Sequence, residues 1–290
     1  MWFWLSLLFA IWISVGMIIS KHVLRGVSPS VLSAALAFLT VPFLLLITLA
    51  TAGGIPSTDW VFWFGVLGSA FLNVFATLLS YTAIKHAPVS ILAPIASFNP
   101  LFTALFAFAF LGENLKLAGV IGIVLIVVGS YFLNIKDIKH SLFRPFSVLF
   151  GNRFVRFFLL ANFIWAITPI FEKTAILHTV PQSGVFAAAA GSSLLFLFLI
   201  PVVKKGVPKP FLELGRNWKW FILLSILGAV GYWAAFTAYS LANLGYVTSV
   251  FRLSIIFTIF WGWLFFKEER IKERLLGAIV MITGTILLVL

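Results

Sequence analysis

Apolar runs long enough to cross a bilayer recur ten times along this 290-residue chain. A membrane helix needs about 20 mostly apolar residues at a rise of about 1.5 Å each. Segments 2–20, 30–50, 60–82, 89–111, 115–133, 154–176, 183–203, 218–241, 246–266 and 273–290 meet that requirement. The links are short. Gly53-Gly54-Ile55-Pro56 separates spans two and three, His86-Ala87-Pro88 three and four, and Gly112-Glu113-Asn114 four and five. The longest break, around 134–153, carries Lys136, Lys139, Arg144 and Arg153, and no link could hold a soluble domain. Gly119–Tyr131 is apolar throughout, as a lipid-embedded helix is, whereas a barrel strand would alternate in polarity over about 10 residues. The first run has no basic segment before Trp2 and no small-x-small site before Lys21, so it reads as a retained span and not a cleaved signal. The expected fold is an all-α integral membrane protein of ten transmembrane helices.

Composition agrees with a chain solvated mainly by lipid. It is 62% hydrophobic and 10% charged, against about 25% charged in soluble domains. The absence of Cys excludes disulfides, thiolate metal sites and Cys nucleophiles. A net charge of +12 would suggest nucleic acid in a soluble protein. Here the charge follows topology. Of the 20 Lys and Arg residues, 17 fall on links after spans one, three, five, seven and nine, two (Lys116 and Lys173) fall on the even links, and Arg252 lies within a span. The positive-inside rule makes the odd links cytoplasmic and both termini extracytoplasmic. No basic stretch is long enough to form a nucleic-acid groove. The expected partners are the lipid bilayer and a small-molecule substrate, with the chain a monomer in the cell membrane.

The two halves repeat. Lys21…Pro29 matches Lys173…Pro181, Tyr81 matches Tyr239, Glu113 matches Glu268, and Gly122/Gly129 match Gly277/Gly284. Five spans per half is an odd number, so the second copy must enter the membrane inverted. The charges follow this inversion. The link after span two has no Lys or Arg and its equivalent after span seven has five; the link after span four has one and its equivalent after span nine has four. Inverted repeats of this kind are frequent in secondary transporters. The expected division is a first five-helix repeat over 1–135, a basic cytoplasmic linker over 136–153 and a second repeat over 154–290. Spans five and ten are expected to pack together through their glycines.

The stretch Asn99-Pro100-Leu101-Phe102…Phe110-Leu111-Gly112-Glu113, followed by Gly119…Gly122…Gly129, resembles the EamA-like domain of the drug/metabolite transporter superfamily. A second copy reads Ile255…Phe265-Phe266-Lys267-Glu268…Gly277…Gly284, with Ile255 where the family pattern usually has Pro. The resemblance covers essentially the whole chain. It implies an exporter or exchanger of small metabolites, such as amino acids or related organic compounds, with a central cavity between the halves.

Several residues are candidates for that cavity. Ser69, Asn73, Thr77 and Tyr81 repeat every four residues in span three and share a face, as cavity lining or as interhelical hydrogen-bonding groups. Span six carries Asn162, Trp165, Thr168, Pro169 and Glu172, and Pro169 is expected to kink the helix. Glu172 either pairs with Lys173 at the interface or is a protonatable coupling site. In span four, Ser97 and Asn99 lie between Pro94 and Pro100, each of which frees a backbone carbonyl for substrate or for a hinge. Arg252 is a charge inside span nine and a functional candidate by default, suited to an anionic substrate group or else satisfied by a carbonyl or the interface. Tyr232, Trp233 and Tyr239 in span eight could stack on a ligand or simply pack. Trp2, Trp4, Trp60 and Trp63 read as interfacial anchors.

No HExxH motif or paired intramembrane carboxylates occur, so neither an enzyme nor a resident cofactor or metal is expected. No nucleotide-binding loop is present to drive transport directly with ATP. A lipid flippase or passive channel is the alternative to a secondary transporter, although a water pore needs a more continuous polar lining than these stripes supply.

Overall fold

A computed structural model describes residues 1–87, 92, 96, 98–134, 152–208, 210–266 and 271–289. They form α1 (Trp2–Val23), α2 (Pro29–Ala52), α3 (Trp60–His86), α4 (Asn99–Leu111), α5 (Leu117–Asn134), α6 (Arg153–Leu177), α7 (Gly184–Gly206), α8 (Pro210–Leu241), α9 (Leu244–Phe251), α10 (Ser254–Phe266) and α11 (Ile271–Val289). A two-residue ribbon pairs β1 (Ser57–Thr58) antiparallel with β2 (Thr179–Val180). Helices α1, α2, α3, α6, α7 and α8 are long and apolar enough to cross a membrane, and α4, α5, α9–α10 and α11 contribute shorter apolar segments. The protein is an all-α multi-pass membrane protein. Pro94, Ser97, Glu268 and residues 136–151 of the basic linker lie outside the described residues.

Local sequence explains the helix boundaries. Backbone N–H groups in a first turn lack intrahelical acceptors, and short polar side chains supply them. The Asp59 carboxylate accepts from Phe62 N at 2.9 Å, Asn152 from Phe154 N at 2.9 Å and Ser183 from Phe186 N at 3.3 Å. Pro29 opens α2, where a missing N–H costs nothing. Gly112 ends α4 at φ +66°, a left-handed turn that L side chains adopt reluctantly. That turn delivers Glu113 directly to the end of the bundle.

Contacts define the two ends. At one end the α2–α3 and α6–α7 links join through β1–β2 and through His178 Nδ1 and Asp59 Oδ2, 2.7 Å apart. The α4–α5 and α8–α9 links join there too, because Asn243 Nδ2 donates to Asn114 O at 3.0 Å. At the other end Lys85 Nζ donates to Val27 O at 3.2 Å, and Ser28 donates from N and Oγ to the Glu213 carboxylate at 2.7 and 2.9 Å. His86 stacks on Phe154 at 4.6 Å. We call these the even-link and odd-link ends.

The core has an apolar layer at each end. Leu44, Phe62, Val66, Ile170, Val185, Ala235 and Leu244 belong to the even-link layer. Val23, Leu32, Ala83, Ile84, Val155, Phe158 and Phe221 belong to the odd-link layer. Between the layers, α3 carries Ser69, Asn73 and Thr77, and α6 carries Asn162, Trp165 and Thr168. A polar band at mid-depth cannot face lipid cheaply, so it fixes which helix faces turn inward.

Helix α3 packs on α6, α1 on α8, α2 on α7, α5 on α11, α4 on α6 and on α9, and α1 on α9 and α10. The expected α5–α11 contact is present and is as close as backbones allow. A Cβ added at Gly122 would stand 2.7 Å from Gly284 O, and one at Gly129 2.8 Å from Gly277 O.

Three expectations need correction. The ninth span is not continuous: α9 ends at Phe251 and α10 starts at Ser254, with Arg252 in the break. The eighth begins earlier than its apolar run, at Pro210, with a non-helical Asn217 (φ −121°) dividing a short segment that carries Glu213 and Arg216 from the span. Trp2 is half-buried against Tyr246, with ring centroids 6.4 Å apart, so it packs within the protein, whereas Trp4, Trp60 and Trp63 are exposed. Pro169 lies inside a single continuous α6.

Candidate functional site

Helix α6 is the rail on which the site is built. Asn162, Trp165 and Glu172 face the interior at successive depths, and ten residues of helix span about 15 Å. Asn162 is buried, and its Nδ2 donates to Phe158 O at 2.9 Å. Asn99 Nδ2 donates to the Asn162 backbone carbonyl at 2.8 Å. Asn99 Oδ1 in turn accepts from Arg252 Nη2 at 3.0 Å. Arg252, Asn99 and Asn162 thus form one chain from the α9–α10 break through α4 to α6. Thr248 and Ser249, one turn before Arg252, bond only their own helix, to Leu244 O and Gly245 O.

A second network joins α3 to α6. Trp165 Nε1 donates to Asn73 Oδ1 at 3.0 Å. Asn73 Nδ2 donates to Ser69 Oγ at 3.1 Å and Glu172 Oε1 at 3.4 Å, and Ser69 Oγ donates to the same Glu172 oxygen at 2.9 Å. Thr77 bonds Asn73 O within its helix at 2.7 Å. The expected Glu172–Lys173 pair is absent. Adjacent helical residues project about 100° apart, and Lys173 turns away to Glu113 Oε1 at 2.6 Å and Ala242 O at 2.7 Å. Among the described residues, Glu172 therefore has hydrogen-bond donors and no cation, and Arg252 has an amide acceptor and no carboxylate.

The span-eight tyrosines belong to an aromatic cluster shared with α1 and α9. Centroid contacts run in a closed circuit: Trp12–Phe9 (4.9 Å), Phe9–Phe251 (4.3 Å), Phe251–Tyr239 (5.9 Å), Tyr239–Phe236 (5.8 Å), Phe236–Tyr232 (6.2 Å) and Tyr232–Trp12 (5.7 Å). Trp233 packs outside this circuit against the even-link layer. Tyr81 lies at the edge of the odd-link layer, against Ser20. Thr168 is buried on α6 between Trp165 and Glu172. Ser97 lies outside the described residues.

Three buried polar atoms lack a hydrogen-bond partner among the described residues: Trp12 Nε1, Ser225 Oγ and Arg252 Nε. Trp12 sits midway along α1, Arg252 follows α9, and Ser225 adjoins Leu224 of the odd-link layer. An unmet buried donor costs about 1–3 kcal/mol, so each of these atoms keeps hydrogen-bonding capacity for a further partner. Neither Trp12 nor Ser225 was expected from sequence. Trp12 carried a usable signal, because Trp favours membrane interfaces and this one is mid-span.

The EamA-like transporter family model matches residues 1–135 and 153–290. The pseudopaline exporter CntI of Pseudomonas aeruginosa (strains UCBPP-PA14 and PAO1) is 25% identical over 224 residues, which is 77% of this chain and 72% of that protein. An uncharacterized protein of Methanocaldococcus jannaschii is 41% identical over 69 residues, 24% of this chain and 50% of that one. One crystal structure superposes with a TM-score of 0.70 at 13% identity, covering 96% of this chain and 95% of its own, which is a likeness of fold.

Proposed function

The chain belongs to the EamA-like transporter family, and on that premise we propose that it is a secondary transporter that exports or exchanges a small carboxylate-bearing metabolite, such as an amino acid or a related organic compound, by alternating access. The carrying observation is the pair of interior charges that do not neutralise each other. Among the described residues, Arg252 offers a guanidinium whose buried Nε has no acceptor, and Glu172 offers a carboxylate bonded by neutral donors. Holding such charges inside a bilayer is costly unless they serve a ligand or ion. Arg252 receives the substrate's anionic group, Trp12 and Ser225 meet further polar atoms, and Asn99, Asn162, Asn73 and Trp165 hold the two charged residues in place. Glu172 is the coupling site, taking a proton or a substrate amine. The outward direction is supported by the relative named as an exporter.

The two halves are read as inverted repeats working around this site. Exchanging each span for its counterpart five places on maps the helix pairing onto itself: three-on-six becomes eight-on-one, four-on-six becomes nine-on-one, and two-on-seven and five-on-ten map to themselves. Helix α1 ends at the odd-link end and α6 at the even-link end, which supports opposite insertion. The charge distribution supports a cytoplasmic odd-link end.

The test begins with a thermal-shift screen of amino acids, organic acids, nucleosides and aromatic amines, followed by counterflow of any hit in liposomes. Arg252→Gln should abolish binding of a carboxylate-bearing hit. Glu172→Gln should abolish uptake driven by a pH gradient and spare counterflow. Unchanged binding and transport in Arg252→Gln would remove the assignment.

A further inference from the structure

Resting on the alternating-access reading, we propose that Lys173 and Lys21 are matched latches, one at each end of the bundle, and that the Lys173 latch positions the helix carrying Arg252. The sequence repeat aligns Lys21 with Lys173, each eight residues before a Pro, and Tyr81 with Tyr239. The contacts follow the same alignment. Lys173 Nζ donates to Ala242 O, three residues after Tyr239, and Lys21 Nζ donates to Ile84 O, three residues after Tyr81. Lys21 Nζ also reaches Ala87 O at 3.2 Å. Each lysine therefore closes the end of its own first helix onto the last turn of the third helix of its own repeat. Both sets of bonds are made at once in this structure.

The Lys173 latch extends across the two halves. Lys173 Nζ lies 2.6 Å from Glu113 Oε1, and Glu113 Oε2 accepts from Leu244 N at 2.8 Å. Leu244 is the first residue of α9, whose initial N–H groups have no acceptor within the helix. A carboxylate there also meets the positive end of the helix dipole. Helix α9 is buried over its length except at Tyr246, and Arg252 follows its last turn. Tyr246 Oη accepts from Lys116 N at 3.1 Å, and a Cβ on Gly119 would overlap this ring, so α9 is seated against the start of α5. Lys173 in turn neighbours Glu172 on α6. A ligand that draws Arg252 and Glu172 together shifts α9 and α6, the two elements joined by the Glu113 carboxylate. Breaking this junction frees the even-link end; breaking the Lys21 contacts frees the odd-link end.

The chain has no Cys, so a single introduced thiol is the only one. Thr77→Cys places it between the apolar layers, and Ile55→Cys, on the exposed α2–α3 link, reports which vesicle face carries the even links. Labelling by a membrane-impermeant maleimide is followed from each face. Losing a charge-assisted bond shifts an open–closed equilibrium by about tenfold. Lys173→Ala should speed Thr77→Cys labelling from the even-link face by about that factor, and Lys21→Ala from the odd-link face. Glu113→Gln, which keeps an acceptor for Leu244 N, should give a smaller rise on the even-link face, and Lys173→Arg should restore the parent rate. Unchanged rates in variants with an unaltered gel-filtration profile, or a rise on the same face for both lysines, would overturn the proposal. If Lys173→Ala fails to fold, Glu113→Gln decides on the same criteria. Sided labelling is read without substrate, so this latch can fail while Arg252→Gln still abolishes transport, or hold while it does not.

Discussion

Alanine at Gly284 is the sharpest test of the packing that holds the bundle together. Its Cβ would stand 2.6 Å from Gly122 O, 2.9 Å from Leu125 Cβ and 3.0 Å from Ile126 Cγ1, where ordinary contact begins at 3.4 Å. The shortfall against the carbonyl is about 0.8 Å, and a backbone oxygen cannot rotate aside as a side chain can. The α5 and α11 backbones must therefore separate. A gap of about 0.5–1 Å forfeits a quarter to a half of each dispersion contact along the seam, and overpacking of this kind costs about 1–3 kcal/mol. Alanine also gains about 1 kcal/mol of helix propensity over glycine, which would mask part of the loss. Gly191 removes that ambiguity. It lies inside α7, where an added Cβ meets nothing within 4 Å, so Gly191→Ala carries the propensity gain alone. The difference between the two variants isolates the packing cost. At about 2 °C per kcal/mol for a chain of this size, Gly284→Ala should melt about 2–6 °C below Gly191→Ala in the same detergent. A Gly284→Ala melting point at or above that of Gly191→Ala would refute the close α5–α11 contact.

Two further outcomes follow from the polar contacts. Asn73→Leu removes the acceptor for Trp165 Nε1 and a donor to Glu172; interhelical bonds in membranes average about 0.6 kcal/mol and reach about 1.7 kcal/mol, so the melting point should fall by about 1–4 °C, and an unchanged melt with unchanged Trp fluorescence would show the bond to be absent. Asp59 is held below the ordinary carboxylate value of 3.8, first by the Phe62 N–H and then by the His178 hydrogen bond; its contribution is present above that value and lost as the pH falls through the folded value, so the melting point should drop on acidification below about pH 4, less in Asp59→Asn than in the parent.

Legibility from sequence followed the physics of each feature. The helical membrane character was readable because lipid demands long apolar runs, and each run is a local property; six of the helices are long and apolar enough to cross a membrane. The α5–α11 contact was readable because glycines seven residues apart serve little purpose on a lipid-facing helix. The break at Arg252 was not readable, since no Pro or Gly marks it. The residues from Tyr246 to Phe266 would make an acceptable continuous helix, and the tight turn at Arg252 and Leu253, bridged by Arg252 N to Ser249 O and Leu253 N to Val250 O, leaves no mark in the sequence. The start of α8 was missed for the opposite reason. Pro210 through Arg216 is a seven-residue segment set off from the apolar run, and its helix is held by a distant contact, Glu213 to Ser28.

The fate of the acidic residues shows where sequence reasoning ends in such a chain. Glu172 beside Lys173 looks like an ion pair when written on a line. In a helix these neighbours face different directions, so each finds a partner far away in sequence: Ser69 and Asn73 for Glu172, and Glu113 for Lys173. Glu113 was visible only as a repeated link residue, matched to Glu268. Its work requires the end of α6 and the start of α9 to meet at one carboxylate, while Lys173 also holds the end of α8 through Ala242 O. Hydropathy places the spans and charge bias orients them, but both are sums over neighbours in the chain. Which interior charge stays without an ionic partner depends on contacts between helices, and among the described residues Arg252 bonds an amide and Glu172 bonds a hydroxyl and an amide.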